Sequence, residues 1–85
     1  MKKIFAEEAW DDYLSWQVQD KRTLKRINDL IKDIERNGNS GIGKPEPLKH
    51  FGGYWSRRIN EKDRLVYKIA SKDEIWIASC KGHYD

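Results

Sequence analysis

After residue 44 the chain sets a single glutamate between two prolines, Glu46 in KPEPLKH. Lys49, His50, Arg57, Arg58 and Arg64 follow, and His83 and Tyr84 come next to last in CKGHYD. Carboxylate, imidazole and guanidinium together suit the cleavage of RNA by its own 2′-hydroxyl. A base takes the hydroxyl proton, an acid protonates the departing 5′-oxygen, and cations stabilise charge on the phosphoryl oxygens. Glutamate, with a reference pKa of about 4.3, is ionised at neutral pH and fit to be the base. Histidine, near about 6.5, serves as the acid, more so where surrounding phosphate raises its pKa. An arginine fork bridges two phosphoryl oxygens, and a tyrosine ring offers a stacking platform for a base.

The same residues support three plainer readings. A basic face can grip RNA and block translation without cutting it. It can also exist only to bind an acidic partner protein, or be a solvated sheet face edged with lysine and arginine. No metal or cofactor is expected. The single cysteine and two histidines lack zinc-site spacing, and no carboxylate cluster suits magnesium. Gly38, Gly41 and Gly43 follow a helical stretch where a phosphate-binding loop would precede one.

The elements that must position these groups fit one small domain, residues 1–85. A chain of this length buries only about 60–65% of its unfolded surface. Four Trp, four Tyr and two Phe enlarge the core that is available. Cys80 has no intrachain partner, which fits a reducing cytoplasm, and its neighbours Ile77, Ala78 and Ser79 mark it as a buried strand thiol. No signal peptide and no membrane span are expected. The net charge is +3, and the excess sits in the second half. Residues 1–43 hold eight basic and eight acidic side chains, and residues 44–85 hold nine and six. Such a region attracts phosphate or an acidic partner.

Residues 2–5 read as a short strand. From Ala6 the pattern is helical, with an apolar stripe at Trp10, Tyr13, Leu14 and Val18. Asp20 is placed to cap a second helix, in which Leu24, Ile27, Leu30, Ile31 and Ile34 repeat at helical spacing until Asn37-Gly38 ends it. The two helices form a hairpin. Pro45 and Pro47 hold Glu46 in extended backbone. Three strands are expected at 54–59, 64–69 and 74–80, joined by short polar loops as an antiparallel meander, with the first strand as an added edge. The order β-α-α-β-β-β gives an α+β domain with the helices on one sheet face. Alternation puts Trp55, Arg57, Ile59, Leu65, Tyr67 and Ile69 toward the helices. It gathers Arg58, Arg64 and Lys68 on the opposite face, where something anionic must offset their repulsion.

The segments WDDYLSWQ, KRINDLIKDIERNG, GKPEPLKH, GYWSRRINEKDRLVYKI and CKGHY, in this order and spacing, resemble the YoeB (Txe) toxins of the RelE-like superfamily. The resemblance runs from the first residue to Tyr84. It implies a microbial-ribonuclease, RelE-like fold and an mRNA endoribonuclease that acts in the ribosomal A site, without metal, to inhibit translation. By that similarity Glu46 is the general base, His83 the general acid, Arg64 the arginine of the transition state and Tyr84 the terminal aromatic on the base. Lys49, His50 and Arg58 would contact phosphate or substrate. The implied partners are a YefM-like antitoxin, whose acidic tail covers the basic surface, and a second copy of the toxin in a homodimer.

Overall fold

A computed structural model describes residues 1–82. The elements run β1 (Lys2–Phe5), α1 (Glu7–Gln19), α2 (Lys21–Asn37), β2 (Glu46–Pro47), β3 (Trp55–Arg58), β4 (Arg64–Ser71) and β5 (Glu74–Ser79). The five strands form one sheet in the order β1-β5-β4-β3-β2. The meander β3–β4–β5 is antiparallel as expected. Two features refine the expected sheet. β1 joins in parallel beside β5, with Lys2 opposite Glu74 and Phe5 opposite Ile77, and the chain around Glu46 adds a two-residue strand at the other edge.

Asp20 alone joins the helices. Its carboxylate accepts from the N–H groups of Arg22 and Thr23 and from the Thr23 hydroxyl. These bonds hold its pKa below the usual carboxylate range. Tyr13, seven residues before Asp20, donates to Asn28 Oδ1, eight residues after it, at 2.8 Å, as a hairpin requires. Gly38 closes α2 at φ +66°, a conformation that suits glycine, and its N–H donates to the Ile34 carbonyl.

The core lies between the helices and one sheet face. Ile27, Leu30, Ile31 and Ile34 of α2 pack with Leu65, Tyr67, Ile75 and Ile77. In α1 the expected stripe is not the buried one. Ala9 and Trp16 are buried with Tyr13 beside them, whereas Trp10, Leu14 and Val18 are exposed, Val18 to 89%. Docking of the C-terminal segment sets this rotation. The small Ala9 lets the Cys80 thiol approach its carbonyl at 3.6 Å, and the Trp16 indole N–H donates to the Cys80 carbonyl at 2.9 Å. Trp10 instead stacks on Tyr13 and meets Phe5 edge-on.

Cys80 is fully buried, and burial pushes its thiol pKa up to about 12, as the structural reading of this residue requires. Ser79 is also fully buried, and its hydroxyl has no hydrogen-bond partner among the described residues. Ser79→Ala is therefore expected to raise stability by about 1 kcal/mol, since it removes a desolvated hydroxyl. A lower denaturation midpoint for the alanine variant would show that the hydroxyl is paired in solution.

Candidate functional site

Glu46 reaches its position through the loop that follows α2, and a buried arginine fixes that loop. Arg57 is fully buried on the helix-facing side of β3. Its Nε donates to the Tyr67 hydroxyl at 3.2 Å and Nη1 to the Asp33 carboxylate and the Ile42 carbonyl. Nη2 donates to the Gly38 and Ser40 carbonyls at 2.7 and 3.0 Å. Asp33 also accepts from Asn37 Nδ2 and from the Ile42 N–H. The Arg57 bond, then those from Asn37 and Ile42, hold its pKa below the usual carboxylate range against the opposing effect of burial. Gly41 lies so close to this pair that a Cβ would meet Asp33 Oδ2 at 2.0 Å. The Gly43 carbonyl then accepts from the Arg58 N–H at 2.7 Å, which lays the loop along β3. From there Pro45 and Pro47 keep the chain extended, and Glu46 pairs with Ser56.

Residues directly opposed across a sheet share a face. Glu46, Ser56 and Val66 form one row on the face turned away from the helices. The next row along is the opposed pair Arg58 and Arg64. The row on the other side is Lys68 with Trp76, where the Lys68 ammonium lies 5.7 Å from both the Tyr54 and the Trp76 ring centres. Strands lie about 4.8 Å apart, so Glu46 and Arg64 are separated by roughly 10 Å across the sheet. Glu46 and Arg58 are exposed and Arg64 is half-buried. Arg64 Nη1 donates to the carbonyls of Asn60 and Asp63 at 3.0 and 3.3 Å. Lys49 and His50 are exposed in the turn between β2 and β3, closed by bonds from Leu48 N–H to the Tyr54 carbonyl and from Tyr54 N–H to the Phe51 carbonyl. Beside this turn Phe51, Tyr54, Val66 and Ala78 line a shallow apolar pocket of about 260 Å³.

The ion pairs among the described residues lie elsewhere. Glu35 pairs with Lys3 and the amino terminus, Asp29 with Lys25, and Asp33 with Arg57. No acidic side chain of the described residues pairs with Lys49, Arg58, Arg64 or Lys68.

The chain beyond β5 is fastened on three sides. The Cys80 N–H donates to Asp12 Oδ2 at 3.2 Å. Burial keeps the Asp12 pKa raised even so, because it outweighs that bond. The Lys81 ammonium lies 4.9 Å from the Trp16 ring centre and donates to Ser15 Oγ. The Arg64 N–H donates to the Gly82 carbonyl at 2.9 Å. The tail is thus tied beside Arg64 as far as Gly82. His83 and Tyr84 lie outside the described residues.

Arg57, which stood among the residues with chemical potential, is removed from that set by its complete burial. Alternation already put it with Trp55 and Ile59. The aromatic flanks of Lys68 were not singled out from the sequence, although Trp76 stands opposite Lys68 on β5 and Tyr54 lies just before β3.

A profile of the YoeB-like toxin of bacterial type II toxin-antitoxin systems matches residues 5–84. Toxin YoeB of Escherichia coli K12 is 58% identical over 85 residues, covering 99% of this chain and 100% of the relative. A YoeB dimer from Staphylococcus aureus superposes with a TM-score of 0.93 at 50% identity, over 99% of this chain and 98% of that one. The toxin chain of a heterotetrameric YoeB–YefM complex from the same organism gives 0.91 at 50% identity with the same coverage. Sequence and fold agree over the whole length, and the chain belongs to the YoeB-like toxins of bacterial type II toxin-antitoxin systems.

Proposed function

We propose that this toxin is a cytoplasmic endoribonuclease that cuts messenger RNA in the ribosomal A site, by metal-independent attack of a 2′-hydroxyl on the adjacent phosphate. The observation that carries this reading is the pairing pattern of the sheet. It sets an exposed glutamate on a rigid extended segment one row from two opposed arginines, on a face where no acidic side chain of the described residues neutralises them. Glu46 is the general base in this scheme, Arg64 stabilises the charge that develops on the phosphoryl oxygens, and Arg58, Lys49 and His50 hold the backbone. His83 is the general acid and Tyr84 stacks on the base. The tether of Gly82 to Arg64 supports both roles, since it starts the tail at the arginine end of the row.

A YefM-like antitoxin is the partner that would silence this surface, and a homodimer is the second assembly in view. Both follow the named S. aureus relatives. An acidic segment laid along Lys49, Arg58 and Arg64 would supply the charge the face lacks.

The test is the chemistry of the product ends on ribosome-bound mRNA. Internal attack leaves a 5′-hydroxyl downstream and a 2′,3′-cyclic phosphate or 3′-phosphate upstream. With ribosome integrity controlled for, EDTA should not stop the cleavage step. Products with a 5′-phosphate would exclude 2′-hydroxyl attack. Inhibition of translation with the message intact would favour the reading in which the face binds and blocks.

A further inference from the structure

We propose that Asp63 is a positioning residue of this active site: it holds the start of the C-terminal tail in register with Arg64, so that the tail's acid and the arginine act on the same phosphate. The inference rests on the nuclease reading above and adds a residue to it.

Gly82 is gripped on both of its peptide groups by two consecutive residues, Asp63 at the end of the β3–β4 turn and Arg64 at the start of β4. Asp63 Oδ1 accepts its N–H at 2.8 Å, and the Arg64 N–H donates to its carbonyl at 2.9 Å. The aspartate is itself held. Its Oδ2 accepts from Asn60 Nδ2 at 3.0 Å, and Asn60 Oδ1 accepts from the N–H groups of Lys62 and Asp63 at 2.8 and 2.7 Å. The carbonyls of Asn60 and Asp63 from this same turn take the Arg64 guanidinium. One four-residue turn therefore aims the arginine and anchors the peptide that leads into His83.

Gly82 has φ +88°, and no atom of the described residues lies within 4 Å of where a Cβ would stand. Packing does not hold its torsions, and glycine has the widest choice of them. The carboxylate bond to its N–H is charge-assisted and so among the stronger restraints available at an exposed site. The fold does not depend on that bond, because Cys80 is separately fastened to Trp16, Asp12 and Ala9.

A displacement of about 1 Å in a catalytic group costs on the order of 100-fold in rate. Asp63→Ala should therefore lower the single-turnover cleavage rate by about 10- to 100-fold, with ribosome binding and melting temperature close to wild type. Asp63→Asn, whose one acceptor oxygen can meet the Gly82 N–H but not the Asn60 amide as well, should recover part of the rate. Asp63→Ala placed on His83→Gln should add no further loss, because the tether acts through the tail. The Gly82 amide should exchange faster in Asp63→Ala while those of Leu65 and Tyr67 do not. A wild-type rate in Asp63→Ala, or a loss that adds in full to that of His83→Gln, overturns the inference alone. If the wild-type toxin leaves every message intact, the nuclease reading falls first and takes the inference with it.

Discussion

Glu46→Gln should abolish growth inhibition and lower the single-turnover cleavage rate by about 10²- to 10⁴-fold, the usual contribution of a positioned general base. The substitution is isosteric and sits on exposed backbone whose geometry is set by Pro45, Pro47 and the pairing with Ser56. Neither fold nor loop should move. Affinity for ribosomes carrying mRNA should hold or tighten, because the variant removes a negative charge from the face proposed to receive phosphate. A loss of rate without loss of binding is the signature of a group that acts in the transition state. Growth arrest by the glutamine variant with transcripts uncut would transfer the inhibition to binding alone. Cleavage at the wild-type rate would deny Glu46 its role.

Arg57→Ala should produce the largest change in stability, a loss of about 3 kcal/mol or more, because it removes a fully buried charged side chain and strips a part-buried carboxylate and several carbonyls of their donor. A domain of this length has roughly 4–13 kcal/mol in total, so the variant should melt more than about 10 °C lower. The alanine leaves Asp33 without its cation. It also leaves the carbonyls of Gly38, Ser40 and Ile42 without the donors that gather the loop. For that reason the double variant Arg57→Met/Asp33→Leu should recover only part of the loss. The same pair predicts an acid limit. The folded-state pKa of Asp33 lies below its unfolded value. Its contribution is thus complete above the unfolded pKa of about 3.9 and fades as pH falls through the folded one. The part of the acid-dependent slope that Asp33 carries should vanish in the double variant, while the part carried by Asp20 remains. Urea titrations of the three proteins from pH 2 to pH 7 decide it, and an Arg57→Ala midpoint near wild type would show that the network is dispensable.

The readable parts of the sequence were those set by local rules. The spacing of Ile27, Leu30, Ile31 and Ile34 gave the buried face of α2, and two prolines gave the extended state of Glu46. Alternation separated Arg57 from Arg58 correctly. It did not identify Asp33, 24 positions earlier, as the counter-ion that turns a buried arginine into a loop clamp. The α1 stripe misled because large apolar residues were given more weight than Ala9, whose small size is what lets Cys80 approach. The parallel seating of β1 and the pairing of Glu46 with Ser56 are contacts between distant segments. So is the tie from Asp63 to Gly82. None has a local signature, and the last helps hold Gly82 beside Arg64.

The parallel seating of β1 bears on synthesis. Among the described residues β1 has one sheet neighbour, β5, which follows it by more than 70 positions and must be made before β1 can pair. Contacts that close so long a loop form slowly. A nascent chain cut short before Glu74 has no edge on which to seat Lys2–Phe5, and the buried surface of Ile75 and Ile77 is missing too. Closure of the sheet therefore waits on β5, and a copy that stops short of it leaves β1 without the strand it pairs with.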